Sequence, residues 1–85
     1  MASYNILIKP SAVKELGALP RKDRLRIVRR IQTLANNPRP TGCEKLSGRE
    51  QYRLRQGRYR IVYSISDREQ VVLVVKIAHR KEVYR

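Results

Sequence analysis

"YRLRQGRYRIVY", residues 52–63, decides how this chain folds. Two runs rich in β-formers flank Gln56-Gly57, and a glycine supplies the positive φ that a two-residue hairpin turn needs. A turn centred on Gln56-Gly57 sets Arg55 opposite Arg58, Leu54 opposite Tyr59, Arg53 opposite Arg60 and Tyr52 opposite Ile61. Successive strand side chains point to opposite faces, so this register predicts one face of Arg53, Arg55, Arg58 and Arg60. The other face carries Tyr52, Leu54, Tyr59 and Ile61, which can be buried. Like charges placed directly opposite each other destabilise a sheet by about 0.2–1 kcal/mol per pair. Folding alone would not select two consecutive Arg–Arg pairs, and a surface for anions gives them a purpose.

The flanks supply the rest of the fold. Residues 71–78, "VVLVVKIA", are almost continuously apolar and β-branched, which predicts a strand in the sheet interior covered on both faces. Residues 4–8 read as a first strand, stopped by Lys9-Pro10. Pro10-Ser11 opens a helix with Val13, Leu16 and Leu19 at helical spacing, and Leu19-Pro20 starts a second. From 21 to 35, Leu25, Val28, Ile31, Leu34 and Ala35 fall on one stripe, with Arg21, Arg24, Arg26, Arg29 and Arg30 filling the remainder. Residues 36–42 are turn-rich, and 43–50 read as loop. The predicted fold is α+β, in the order β-α-α-β-β-β, with two helices on one face of a mainly antiparallel sheet. Residues 1–85 make one domain. At that length folding buries about 60–65% of the surface the unfolded chain exposes, so the core is small.

Charge narrows the function. Twenty Lys and Arg against seven Asp and Glu give a formal net charge of +13, and 14 of the twenty are Arg. Self-repulsion of that size opposes the compact state, and an acidic partner accounts for it. The guanidinium fork holds phosphate or carboxylate through paired hydrogen bonds. Lone Cys43 and lone His79 offer no disulfide and no metal-ligand spacing, so neither metal nor cofactor is expected. No apolar run has the length of a signal-peptide core or a membrane span, which points away from a membrane partner and to the cytoplasm.

The ending "AHRKEVYR", residues 78–85, follows the apolar strand. Antiparallel order returns the end of that strand to the level of Arg58 and Arg60, and His79, Arg80 and Tyr84 then stand at the edge of the arginine face. Arginines with a tyrosine, and without a carboxylate pair, suit RNA cleavage by the RNA's own 2′-hydroxyl. That reaction needs a base at the hydroxyl, cations for the charge developing on the phosphate and an acid for the leaving 5′-oxygen. A free tyrosine has a pKa of about 10, so surrounding positive charge must lower it before it can serve as the base.

The stretch "YRLRQGRYRIVYSI", the run "VVLVVKIAHRKEVYR" and the two-helix N-terminal half resemble the RelE/ParE superfamily of toxins, over nearly the whole chain. Leu54, Gly57, residues 59–63 and the ending at 79–84 resemble the RelE branch. The resemblance implies an mRNA interferase that cuts mRNA in the ribosomal A site, without a metal, and is neutralised by a co-expressed, acidic, RelB-like antitoxin. It implies a catalytic set of Arg53, Arg55, Arg60, Arg80 and Tyr84, with Tyr84 activating the 2′-hydroxyl and Arg60 and Arg80 stabilising the transition state. Arg53, Arg55, Arg58, His79, Lys81 and Arg85 are then expected to hold RNA, and the basic body to contact rRNA. The family often has Lys where Arg53 and Arg55 stand. Arginine is a poor proton donor, which leaves His79 as a candidate acid. A ParE-type poison of DNA gyrase and a non-catalytic nucleic-acid-binding domain are the competing readings; Tyr52 and Tyr59, on the apolar face, argue against base stacking in the latter.

Overall fold

A computed structural model describes residues 3–46, 48 and 50–79. The chain runs β1 (Asn5–Ile8), α1 (Pro10–Gly17), α2 (Arg21–Thr33), β2 (Glu44–Lys45), β3 (Gln51–Gln56), β4 (Tyr59–Ser66) and β5 (Val71–His79). The strands form one sheet in the order β1-β5-β4-β3-β2, antiparallel except where β1 runs parallel to β5. This is the predicted α+β arrangement with one strand added. β2 has two residues, both exposed and polar, so no apolar alternation announces it.

The hairpin register corrects the sequence reading. Gly57 and Arg58 form the turn, and the pairs are Gln56 with Tyr59, Arg55 with Arg60, Leu54 with Ile61, Arg53 with Val62 and Tyr52 with Tyr63. Gly57 alone takes positive φ, +60°, the pattern of a type II′ turn. Centring the turn on Gln56-Gly57 in the alternative type I′ form would force Gln56 into positive φ as well, at about 1–2 kcal/mol. Every partner moves by two residues, an even step, so the faces survive. Tyr52, Leu54, Tyr59 and Ile61 still share the helix side, now joined by Tyr63, and Arg53, Arg55 and Arg60 share the other. Arg58 leaves the arginine face for the turn, and only one Arg–Arg pair remains.

Both helices pack on the apolar side. Ala12 and Leu16 of α1 and Ile27 and Ile31 of α2 join Leu34, Leu54, Ile61, Tyr63, Val72, Val74 and Ile77 in one core. The predicted stripes are rotated: Val13 and Leu25 are exposed, at 53% and 45%. At 3.6 residues per turn Leu25 lies about 160° from Ile27; Ile27, Ile31 and Leu34 line up toward the sheet, with Val28 packed at their side. In β5, Val72 and Val74 are buried while Val71 and Leu73 are half-buried, so its first half is covered mainly on one face, whereas at its end Ile77 and Ala78, which point to opposite faces, are both buried. Pairing with β1 ends at Val74. There Glu15 of α1 takes over, its Oε1 accepting the Ile77 N–H at 2.9 Å and its Oε2 binding Lys76 Nζ at 3.1 Å. No helix among the described residues is long and apolar enough to cross a membrane.

Asp67, in the β4–β5 turn, ties the N-terminus to the loop after α2. Arg39 donates to both of its oxygens, at 3.1 and 2.9 Å, and the Tyr4 hydroxyl donates to Oδ1 at 2.7 Å. Arg39 also lies over the Tyr52 ring, 5.3 Å from its centroid, and its Nε donates to the Tyr52 hydroxyl. The Arg39 and Tyr4 hydrogen bonds lower the Asp67 carboxyl to about 2. Its folded pKa lies below the unfolded value of about 3.9, so its contribution to stability is complete above that range and is lost as pH falls toward 2. Asp67→Asn is expected to lower the urea midpoint at neutral pH, with the gap to wild type closing between pH 5 and 2. A gap that persists undiminished at pH 2 would show that the ion pair is not its source.

Candidate functional site: an arginine cleft at the open edge of β3

β2 pairs with β3 only at Tyr52 and Arg53, which leaves residues 54–56 without a strand on that side. A cleft of about 370 Å³ opens there, walled by Arg30 of α2, Thr41 and Gly42 of the preceding loop, Glu44, and Arg53, Arg55 and Arg60 of the hairpin. Four arginines face one carboxylate, and Glu44 is already paired with Arg53 at 3.1 Å. Arg60 is 4% exposed, the one charged residue among the described residues to be buried so fully. It stands opposite Ala78 on β5 and Arg55 on β3. The Nε of Arg30 is buried and has no hydrogen-bond partner among the described residues. This much converging positive charge suits a phosphate, which accepts several forked hydrogen bonds at once.

Of the residues expected to act together, Arg53, Arg55 and Arg60 converge. Sequence reading missed Arg30, because one more arginine on a basic helix looks like a solvated face. Arg58 lies at the turn tip. His79 requires a correction. It is paired with Tyr59 across β4 and β5, so it shares the helix face and meets the Tyr59 ring edge-on, with centroids 5.4 Å apart. It lines a second cavity, of about 530 Å³, with Asp23, Arg26, Arg58 and Tyr59, and not the arginine cleft. Tyr59 is correspondingly half-exposed, its hydroxyl donating to Asp23 at 3.1 Å, whereas Tyr52 is buried as expected. Burial and the Asp23 hydrogen bond raise the Tyr59 pKa above its ordinary value, so Tyr59 is no base at neutral pH. Arg80, Lys81, Tyr84 and Arg85 lie outside the described residues. No trio of His, Cys, Asp or Glu side chains among the described residues has metal-binding geometry.

The profile of the ParE toxin of type II toxin-antitoxin systems, parDE, matches residues 6–84. The chain belongs to the RelE/ParE toxin superfamily. A curated relative from Methanocaldococcus jannaschii that carries the toxin name RelE1 is 28% identical over 86 residues, covering 96% of each chain. Among solved structures, this toxin superposes on RelE of the archaeal RelE–RelB complex from Pyrococcus horikoshii with a TM-score of 0.84 at 30% identity, over 92% of this chain and 96% of that one. The isolated E. coli RelE toxin follows at 0.80 and 28%, over 96% and 92%. A YoeB/ParE toxin from Agrobacterium tumefaciens, 18% identical, shares the fold at 0.75. As a RelE/ParE member the protein is a toxin of a type II toxin-antitoxin system.

Proposed function

We propose that this RelE/ParE toxin is a ribosome-dependent endoribonuclease that cuts mRNA in the A site and so stops translation. The observation that carries this reading is the cleft of Arg30, Arg53, Arg55 and Arg60, with Arg60 largely withdrawn from water. Positive charge held in a low-dielectric wall stabilises a developing phosphorane far better than the same charge in solvent. On this reading Tyr84 takes the proton of the 2′-hydroxyl, the 2′-oxygen attacks the adjacent phosphorus and the P–O5′ bond breaks. The products are a 2′,3′-cyclic phosphate and a 5′-hydroxyl. Arg53, Arg55, Arg60 and Arg80 bind the phosphate and carry its charge; Lys81 and Arg85 add to the RNA contact. Arginines keep their protons at neutral pH, and His79 sits in the other cavity, so the leaving oxygen takes its proton from another source, of which solvent is the simplest.

The relatives crystallised with RelB support an antitoxin as the protein partner. With a net charge of +13, this chain suits an acidic, partly disordered segment that orders on contact and covers the arginine face or displaces the C-terminal residues. The matching profile is that of ParE toxins, which keeps gyrase poisoning as the second reading. Mapping mRNA ends in a translation reaction separates the two. The expected result is cleavage at A-site codons, lost in Tyr84→Phe and Arg80→Ala. Cleavage that persists in both variants overturns the site, and intact mRNA with arrested gyrase-dependent supercoiling overturns the nuclease.

A further inference from the structure

The arginine cleft does not end at Arg30. A shallow strip lined by Arg26, Arg29, Arg30, Thr33 and Gln56 leads away from it along α2. It shares Arg30 with the cleft, and Arg26 and Gln56 with the cavity under the hairpin tip. Through these shared residues the three adjoin one another between α2 and the hairpin of β3 and β4. Among the described residues no carboxylate pairs with Arg26, Arg29, Arg30, Arg55 or Arg58. The two acids along the path are engaged elsewhere, Glu44 with Arg53 and Asp23 with the Tyr59 hydroxyl.

We infer that this groove carries single-stranded RNA away from the cleaved phosphate, with Arg30 and Arg26 holding successive phosphates and the hairpin-tip cavity receiving a base. This deepens the nuclease reading and rests on RNA being the substrate. Arg26 and Arg30 lie one helical turn apart, about 6 Å along the axis, a spacing of the order of that between neighbouring phosphates in an extended strand. Guanidinium forks match phosphate oxygens, and Arg30 lines both the cleft and the strip, so it stands where the two meet. At the far end the cavity of about 530 Å³ is large enough for a nucleotide and presents the rings of Tyr59 and His79. Aromatic walls beside a cationic track are how proteins hold single strands without reading their sequence. Arg58, displaced from the arginine face by the turn, gains a place at this end of the path.

Fluorescence anisotropy with the full chain and labelled single-stranded RNA tests the path. The RNA carries 2′-O-methyl sugars throughout so that it cannot be cut. A nonamer is expected to bind at least tenfold more tightly than a trimer. Arg26→Gln/Arg58→Gln should remove most of that difference, leave the trimer nearly unchanged and flatten the slope of log affinity against log salt by about 1.4, which is two contacts at about 0.7 each. Arg21→Gln/Arg68→Gln removes equal charge from exposed positions off the path, and an equal loss there would mean diffuse attraction and overturn the inference. So would nonamer binding indifferent to Arg26 and Arg58 while antitoxin affinity collapses, because the groove would then be a peptide site. Groove-dependent binding in a protein that leaves mRNA intact during translation sinks the nuclease reading alone; cleavage without groove dependence sinks this inference alone.

Discussion

Replacing Arg60 by glutamine is expected to lower the proposed A-site mRNA cleavage by about 10²–10³-fold, the usual cost of deleting one preorganised donor at a developing oxyanion. The size follows from where the side chain sits. Arg60 is 4% exposed, set on a central strand between Ala78 and Arg55, and lines the same cleft as Arg30 and Arg53. A guanidinium in that wall does not reorganise when charge develops in front of it, whereas exposed Arg55 can swing away. Because Arg60 is buried, the glutamine variant also loses stability, and Arg60→Lys separates the effects. Lysine keeps the charge and loses the fork, so it should fold normally and cleave at an intermediate rate. The measurement is the rate of appearance of mapped mRNA ends, with urea denaturation as the check on folding. Wild-type cleavage by a folded Arg60→Gln protein would remove Arg60 from the mechanism.

The division of the hairpin into an arginine face and an apolar face was legible in the sequence even though its register was not. A strand side chain has a period of two, so an error of two residues in pairing leaves every face unchanged. What decided the register was the cost of positive φ at Gln56, which a dipeptide pattern does not weigh against the tolerance of Gly57 for the same angle. Helix faces were less legible, because α2 has apolar residues at 25, 27, 28 and 31 and two different stripes can be drawn through them. Docking on the sheet chose the one through Ile27, and Leu25 was left outside. Arg30 and the second cavity could not have been found from sequence. They depend on β2 beginning only at Glu44, which leaves residues 54–56 of β3 unpaired, and two polar residues carry no pattern that says where a strand begins.

The largest effect on stability is expected at Tyr63, which holds the two halves of the chain together from inside. Its ring is fully buried on β4 and stacks on Tyr52 at 5.8 Å, and its hydroxyl donates to the Pro38 carbonyl at 2.7 Å. Tyr63→Ala removes the ring and leaves a cavity, at about 3–5 kcal/mol. For 85 residues total stability is about 4–13 kcal/mol, so that single change takes the protein close to unfolding. Tyr63→Phe keeps the ring and deserts only the Pro38 oxygen, at about 1–3 kcal/mol. The two variants together divide packing from hydrogen bonding. Alkaline pH supplies an independent measure of the second. Burial, with Cys43 beside it, pushes the Tyr63 hydroxyl above its ordinary pKa. The folded state then keeps a proton that the unfolded chain releases near pH 10, so stability is complete below that pH and declines as pH rises through it. Tyr4, through its bond to Asp67, and Tyr59, through burial, are shifted the same way and steepen the decline. Urea midpoints between pH 8 and 11 should therefore fall in wild type and fall less steeply in Tyr63→Phe, so that the gap between the two narrows with pH. Parallel curves would mean that the Tyr63 hydroxyl ionises as easily in the folded chain as in the unfolded one, and its bond to Pro38 would then contribute little.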